Sequence, residues 1–206
     1  MCIRDRLIAG DPKLINYRYF FTRKLTFMKE SHAFALLPGG FGTLDEGFEL
    51  LTLMQTGRTA VVPVVLMAEP GSTYWSAWLD FVTRELGGRG LISDDDLCLV
   101  RPVANVAEAV EEIQGFYSSY HSMRFVGRRL VMRLTREPSD AELVAWGDEF
   151  ADMLTQGGFE RTAPSSSELE DGDEVDLPRV AFRFDRASYA RLRRLIDRVN
   201  QRPDRP

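Results

Sequence analysis

The chain of 206 residues is 44% hydrophobic, carries 13 phenylalanines and has a formal charge of −5, a composition that can bury a proper core and fits a globular protein. No apolar run reaches the ~18 residues that span a bilayer as a helix, and the N-terminus lacks the basic, apolar and small-residue order of a secretory signal, so no membrane partner and a cytoplasmic address are expected. Cys2 and Cys98 form no CxxC and have only His32 and His121 to join them, too few ligands for a disulfide framework or a zinc site; no metal and no cofactor are expected.

In chain order, the pattern predicts a helix over "NYRYFFTRKLTFMKE", a short strand "AFALL", a glycine segment, a second helix and a strand "AVVPVVLM". The amphipathic "TYWSAWLDFVTREL", the short apolar "LCLV" and a helix near 105–120 follow. Short apolar runs alternating with helices argue for an α/β domain whose parallel sheet is covered on both faces.

Residues 121–206 read as a small α+β domain. "MRFVGRRLVMRLTR" suggests a strand or hairpin, and "SDAELVAWGDEFADMLTQ" a helix ended by Gly157 and Gly158, with "FERTA" as the next strand. In "PSSSELEDGDEVD" six acidic residues and no basic ones leave little to bury, and a mobile acidic loop is expected over 164–177. Beyond it "PRVAFRF" alternates like a half-buried strand, and "ASYARLRRLIDRVN" places Tyr189, Leu192, Ile196 and Val199 on one helical stripe.

The stretch "LLPGGFGTLDEGFELL" carries the most chemistry. Leu36 and Leu37 end a strand and Pro38 breaks its ladder; Gly39, Gly40 and Gly42 permit positive φ and close approach of backbone N–H groups. Thr43 is expected to cap the helix that follows. Unspent N–H groups at a helix start suit a phosphate, and open parallel sheets bind ligands at the carboxyl ends of their strands. The dinucleotide fingerprint fails, because Asp45 stands where its third glycine belongs, and there is no GK[ST] for a P-loop. The plain alternative is a tight connection.

Thr43-x-x-Glu46 fits a capping box in which both side chains satisfy backbone donors. Alternatively Glu46 and Glu49, one turn apart, face a cleft together, with a cation needed to offset their repulsion. Arg23 and Lys24 in the aromatic-rich helix upstream are candidates for that charge and for a phosphate clamp; a solvated basic pair is the alternative.

Together, Arg23, Lys24 and then Pro38, Gly39, Gly40, Gly42, Thr43 and Glu46 resemble the signature of the LONELY GUY (LOG) family. These are nucleotide phosphoribohydrolases often mislabelled as possible lysine decarboxylases, with an Arg-Lys pair followed by P-G-G-x-G-T-x-x-E. The resemblance implies a Rossmann-like sheet and hydrolysis of the N-glycosidic bond of a nucleoside 5'-monophosphate, of the AMP or cytokinin riboside type. Free base and ribose 5-phosphate are the products. It makes Arg23 and Glu46 the catalytic pair and puts Lys24, Gly39, Gly40, Gly42 and Thr43 around the substrate; Glu49 is placed there by its spacing from Glu46 alone, as a holder of ribose hydroxyls. A homodimer is expected from the same resemblance, and "FYSSYHSMRFVGRRLVMRL" resembles a C-terminal extension of longer bacterial members.

Family members begin with an earlier half of the sheet and a separate glycine-rich loop, to which "MCIRDRLIAGDPKL" does not correspond. Residues 1–14 are therefore expected to be a non-native scar, followed by a partial catalytic domain over 15–120 that lacks its leading strands and an extension over 121–206. Gly47 stands where a bulkier apolar residue is usual, at a helix cost of roughly 1 kcal/mol. Two rival readings remain. Nine arginines against three aspartates between Arg179 and Arg205 could serve nucleic acid, against the overall acidity and the absence of a nucleic-acid motif. A module that binds nucleotide without turnover is the other.

Overall fold

The computed structural model describes residues 10–12 and 14–201. The described residues form two compact units that divide between Ser31 and His32. Of the segment expected to be non-native, residues 1–9 and 13 lie outside the described residues.

In the N-terminal unit the described residues form one helix, α1 (Phe20–Glu30). It starts four residues later than the sequence pattern suggests, and its cap, Tyr19, makes no side-chain bond to the helix. Phe20, Phe21, Leu25 and Phe27 are exposed along it.

The second unit opens with the expected alternation. Strands β1 (Phe34–Leu36), β2 (Val64–Met67) and β3 (Arg101–Val103) form a parallel sheet in that order. Parallel neighbours need long crossovers. The first is α2 (Phe41–Gln55); the second is α3 (Tyr74–Phe81), a π-helical turn at Val82–Gly87 and a 3-10 segment at Asp94–Leu99. Val64, Val65 and Leu66 are buried on both faces of the central strand, as parallel strands require. "LCLV" belongs to that 3-10 segment rather than to a strand of its own. Ser93 and Asp96 close a capping box at its start, and three acidic residues in its first turn complement the helix dipole. The helix α4 (Val106–Phe116), capped by Asn105, completes this half.

The C-terminal part builds an antiparallel sheet in the order β4-β5-β7-β6. Its strands are β4 (Tyr120–Val126), β5 (Arg129–Leu134), β6 (Leu154–Arg161) and β7 (Arg179–Phe184). The helix α5 (Asp140–Glu149) ends well before the two glycines expected to stop it. Gly157 and Gly158 sit inside β6, where the register against β7 shifts between Gln156 and Glu160. Gly157 takes φ +71°, so these glycines accommodate a bulge at the sheet edge rather than a helix end.

The acidic stretch also differs from expectation: it contains a short helix, α6 (Ser166–Asp171), opened by a Ser165/Glu168 capping box. Glu168 is buried and bonds Arg133 through Nε at 3.1 Å. Arg133 Nη2 also reaches Asp173 at 2.5 Å, and buried Arg179 donates to the carbonyls of Leu177 and Glu174. The partners that seat this segment are Arg133 of β5, 35 residues upstream of Glu168, and Arg179, which opens β7 just beyond the segment.

The last helix, α7 (Tyr189–Asn200), buries Leu192, Leu195, Ile196 and Val199 completely or nearly so. It packs against α2, the 3-10 segment, α4 and β4, so one helix joins the cores beside both sheets. The expected stripe of Tyr189, Leu192, Ile196 and Val199 is its buried face. Burying several such aliphatic side chains, at about 1.5–3 kcal/mol each, makes α7 a major source of stability.

Candidate functional site

The glycine turn joins the end of β1 to the start of α2 within four residues, 37–40. The helix is capped by Gly40, in an extended conformation at φ −89° and ψ −155°. Thr43 is not the cap: it is the third helical residue, and its N–H, like that of Leu44, bonds the Gly40 carbonyl at 3.1 and 3.3 Å respectively. The capping-box reading of Thr43 and Glu46 is thereby overturned, because both lie inside the helix.

None of Gly39, Gly40 and Gly42 takes positive φ, so left-handed backbone is not their purpose. Gly39 is required for close approach, since a Cβ there would collide with the Thr43 side chain. Gly40 and Gly42 have open space around them, leaving bare backbone at the start of the helix. Helix geometry leaves the N–H groups of the first turn without intrahelical acceptors. No acidic side chain occupies that turn, and Phe41 at its first position is 94% exposed. Among the described residues the helix start is therefore bare backbone, with no acidic side chain of its own first turn set against the positive end of its dipole.

Glu46 and Glu49 follow one helical turn apart and are half-buried, each with its Oε2 atom shielded from solvent. Between them Gly47 is buried, and a Cβ on it would come within 3.3 Å of Leu36 Cδ1. The glycine that lowers helix propensity lets α2 lie close against the end of β1. Its role is packing.

The carboxyl end of β2 contributes a residue that sequence reasoning missed. Tyr74, at the start of α3, donates its hydroxyl to the Gly39 carbonyl at 2.7 Å. Trp75 beside it donates Nε1 to the Met67 carbonyl at 3.0 Å, tying the start of α3 to the strand end, and Trp78 packs its ring against Phe48 of α2 at 5.4 Å between centroids. The available signal was position: Tyr74 opens the helix after the second strand, at the sheet edge where the glycine turn also lies.

The structure thus gathers Gly39, Gly40, Gly42, Thr43, Glu46 and Glu49 on one turn and the first half of one helix. Arg23 and Lys24 occupy successive positions of α1 in the N-terminal unit, where both cations lie over the Phe20 ring, at 5.1 and 5.6 Å from its centroid.

Other features of the second unit have evident structural uses. A cavity of about 1020 Å³ opens between β3, α4 and α7, but its charges pair across it. Arg193 bonds Glu112 at 2.6 Å and Asp197 at 3.0 Å, and Arg101 lies 3.4 Å from Glu112. The arginines of α7 invoked for nucleic acid all have acidic partners: Arg191 with Asp152, Arg194 with Asp95 and Arg198 with Glu149; Arg202 and Arg205 lie outside the described residues. Burial pushes the Cys98 thiol up to about 11, and its Sγ lies 3.3 Å from the Ala190 carbonyl, an arrangement unsuited to a nucleophile. Among the described residues, no group of three or more His, Cys, Asp or Glu could hold a metal ion, and no helix is long and apolar enough to cross a membrane.

Comparison with known proteins bears on the same region. The model of a family described as possible lysine decarboxylase matches residues 9–113, about half of the chain. Cytokinin riboside 5'-monophosphate phosphoribohydrolase LOG1 of Arabidopsis thaliana is 32% identical over 94 residues, covering 46% of this chain and 42% of that protein. LOG4 of the same plant is 30% identical over 101 residues, covering 49% and 45%. The probable cytokinin riboside 5'-monophosphate phosphoribohydrolase LOGL3 of Oryza sativa subsp. japonica is 31% identical over 99 residues, covering 48% and 44%. The match spans less than half the length of these relatives. The matched region takes in α1, the glycine turn and both crossovers of the parallel sheet, and through it this chain belongs to the possible lysine decarboxylase, or LOG, family.

Proposed function

We propose that the chain hydrolyses the N-glycosidic bond of a nucleoside 5'-monophosphate, of the AMP or cytokinin riboside type, to free base and ribose 5-phosphate. The observation that carries this reading is the P-G-G-x-G-T-x-x-E segment, which follows a strand and runs through the turn into a helix start with no acid in its first turn. A dianionic 5'-phosphate fits bare N–H groups at the positive end of a helix dipole. The names of the relatives, each a phosphoribohydrolase of a riboside 5'-monophosphate, point to the same substrate class.

In this reading the phosphate sits on the N–H groups contributed by Gly40, Phe41 and Gly42, with the Thr43 hydroxyl beside it. Bond cleavage builds positive charge on the ribose, as in glycoside hydrolysis, and a carboxylate near the anomeric carbon stabilises it or activates the attacking water. Glu46 is assigned that role, and Glu49, one turn on, holds ribose hydroxyls. Arg23 and Lys24 supply cationic charge for the phosphate or the polarised ribose. The family resemblance alone adds a cytoplasmic homodimer and a functional division into a catalytic part over 15–120 and an extension over 121–206.

The test is release of free base from a panel of nucleoside 5'-monophosphates by the full chain, by Glu46→Gln and by Arg23→Ala. Release by the parent that both substitutions abolish supports the reading and names the base. Phosphate-dependent binding with no release would replace it by a nucleotide-sensing module.

A further inference from the structure

We infer that Tyr74 is a positioning residue of the glycine turn: its hydroxyl, bonded to the Gly39 carbonyl, sets the direction in which the Gly40 N–H meets a phosphate. The inference rests on the reading of the turn as a phosphate site, and it assigns a role in that site to a residue outside the P-G-G-x-G-T-x-x-E segment.

The peptide that joins Gly39 to Gly40 is planar, and the described residues contain no cis bond. In a trans peptide the C=O and the N–H point to opposite sides of the chain. A 2.7 Å bond from Tyr74 Oη to the Gly39 oxygen therefore also fixes where the Gly40 N–H points, away from the tyrosine. Glycine has the widest range of backbone conformations of any residue, so two adjacent glycines would leave this peptide free to rotate unless something outside the turn held it.

Two contacts hold it. On one side the Thr43 side chain packs against the Gly39 Cα so closely that no Cβ fits. On the other the tyrosine takes the carbonyl. Tyr74 is itself fixed: its ring meets Trp75 edge to face at 4.8 Å, and Trp75 is buried and bonded to the end of β2. The orientation of one N–H on the first crossover is thus set by the start of the second. A donor held in place before the ligand arrives binds without the entropy loss of ordering the loop.

The experiment uses the full chain and Tyr74→Phe, which keeps the ring and its packing and removes only the hydroxyl. Affinity for ribose 5-phosphate is followed through the Gly40 and Gly42 amide resonances, and base release is measured in parallel. Loss of the bond should raise KM and the ribose 5-phosphate dissociation constant by about tenfold, the size expected when one polar partner is removed. It should change kcat by less than about threefold and leave the thermal midpoint near that of the parent, because the tyrosine acts on binding rather than on the bond broken. Tyr74→Trp, which cannot place a hydroxyl there, should behave as the phenylalanine variant does. Unchanged ribose 5-phosphate affinity in Tyr74→Phe, or a parent in which ribose 5-phosphate shifts no glycine-turn amide, overturns the inference. The two ideas separate cleanly. Base release with equal KM in parent and variant removes the role of Tyr74 and keeps the hydrolase; ribose 5-phosphate binding that is weaker in Tyr74→Phe than in a parent that itself releases no base keeps Tyr74 and removes the hydrolase.

Discussion

The side chain of Thr43 occupies the space that a Cβ on Gly39 would need. The first glycine of the turn and the threonine of the first helical turn are thereby fitted to one another, although the φ of Gly39 is one that any residue can adopt.

Gly39→Ala should accordingly be destabilising through contact alone. Both Thr43 Oγ1 and Thr43 Cβ lie closer to the new methyl than real atoms approach, so the turn must move away from α2. A cost of about 1–3 kcal/mol is expected, as for other overpacked sites, together with weaker ribose 5-phosphate binding. Thr43→Ala in the same chain should recover part of that stability, and chemical denaturation of the four members of the double-mutant cycle measures the coupling. Additive losses would show that the two residues do not meet.

The charges beneath α6 make acid stability the second prediction. Burial pushes the Glu168 carboxyl up, but the Ser165 N–H and hydroxyl and the Arg133 and Arg179 guanidinium groups more than offset this and hold it at about 2 against an ordinary 4.5. Glu142, bonded by Arg136 and by Ser139, is held at about 2 as well. A carboxyl depressed in the folded state adds stability that is fully present above its unfolded value and lost as pH falls towards its folded one. The Glu168 contribution, on the order of 3 kcal/mol, should therefore disappear between about pH 5 and pH 2. Glu168→Gln removes the acceptor charge while leaving Arg133 and Arg179 buried. It should cost about 3–5 kcal/mol at neutral pH and flatten the pH dependence in that window, measured by thermal unfolding from pH 7 to pH 2. An unaltered pH profile would refute the assignment.

How much was legible beforehand follows from the same examples. The alternation of β1, α2, β2 and α4 was readable because periodicity is local, and the glycine turn because strand end, glycines and helix start are adjacent in sequence. The identity of the cap was not. A Thr-x-x-Glu pattern places an N-cap only when the helix begins there, and the cap of this helix stands three residues earlier, at Gly40. Gly157 and Gly158 look like a helix stop until pairing with β7 places them in a bulge. The acidic stretch looked unable to fold because the partner of Glu168, Arg133, lies 35 residues upstream. Tyr74 shares that difficulty, since its bond to Gly39 also spans 35 residues.

A third prediction concerns the junction between α2 and the C-terminal helix. Gly57 ends the turn after α2 at φ +65°, and a Cβ there would run into the tip of the Tyr189 ring. Tyr189 cannot swing aside freely, because its ring packs edge to face on Phe184 at 5.0 Å. Gly57→Ala combines left-handed strain with a clash, and a loss of about 2–4 kcal/mol is expected. Tyr189→Leu should relieve the clash but not the strain, leaving about 1 kcal/mol of the loss. Denaturant midpoints of the single and double variants separate the two contributions; a neutral Gly57→Ala would mean that α7 is not seated against this turn.

The fourth prediction divides the labour of the two carboxylates on α2. Glu46 and Glu49 present shielded Oε2 atoms one helical turn apart, yet the proposed reaction asks different things of them. A carboxylate that meets the charge developing on the ribose acts only in the transition state, so Glu46→Gln should lower kcat by about a thousandfold, within the range for a lost acid–base or electrostatic group. Its ribose 5-phosphate affinity should stay within about threefold of the parent, because the phosphate is gripped elsewhere. A carboxylate that holds ribose hydroxyls acts in ground and transition states alike, so Glu49→Gln should raise KM by about tenfold with kcat nearly unchanged. Steady-state base release, with ribose 5-phosphate as competitive inhibitor, reads both quantities for each variant. If the two substitutions exchange signatures, Glu49 rather than Glu46 faces the anomeric carbon; if both affect only KM, the chemistry belongs to neither, and the assignment of Glu46 falls while the phosphate site at Gly40 stands.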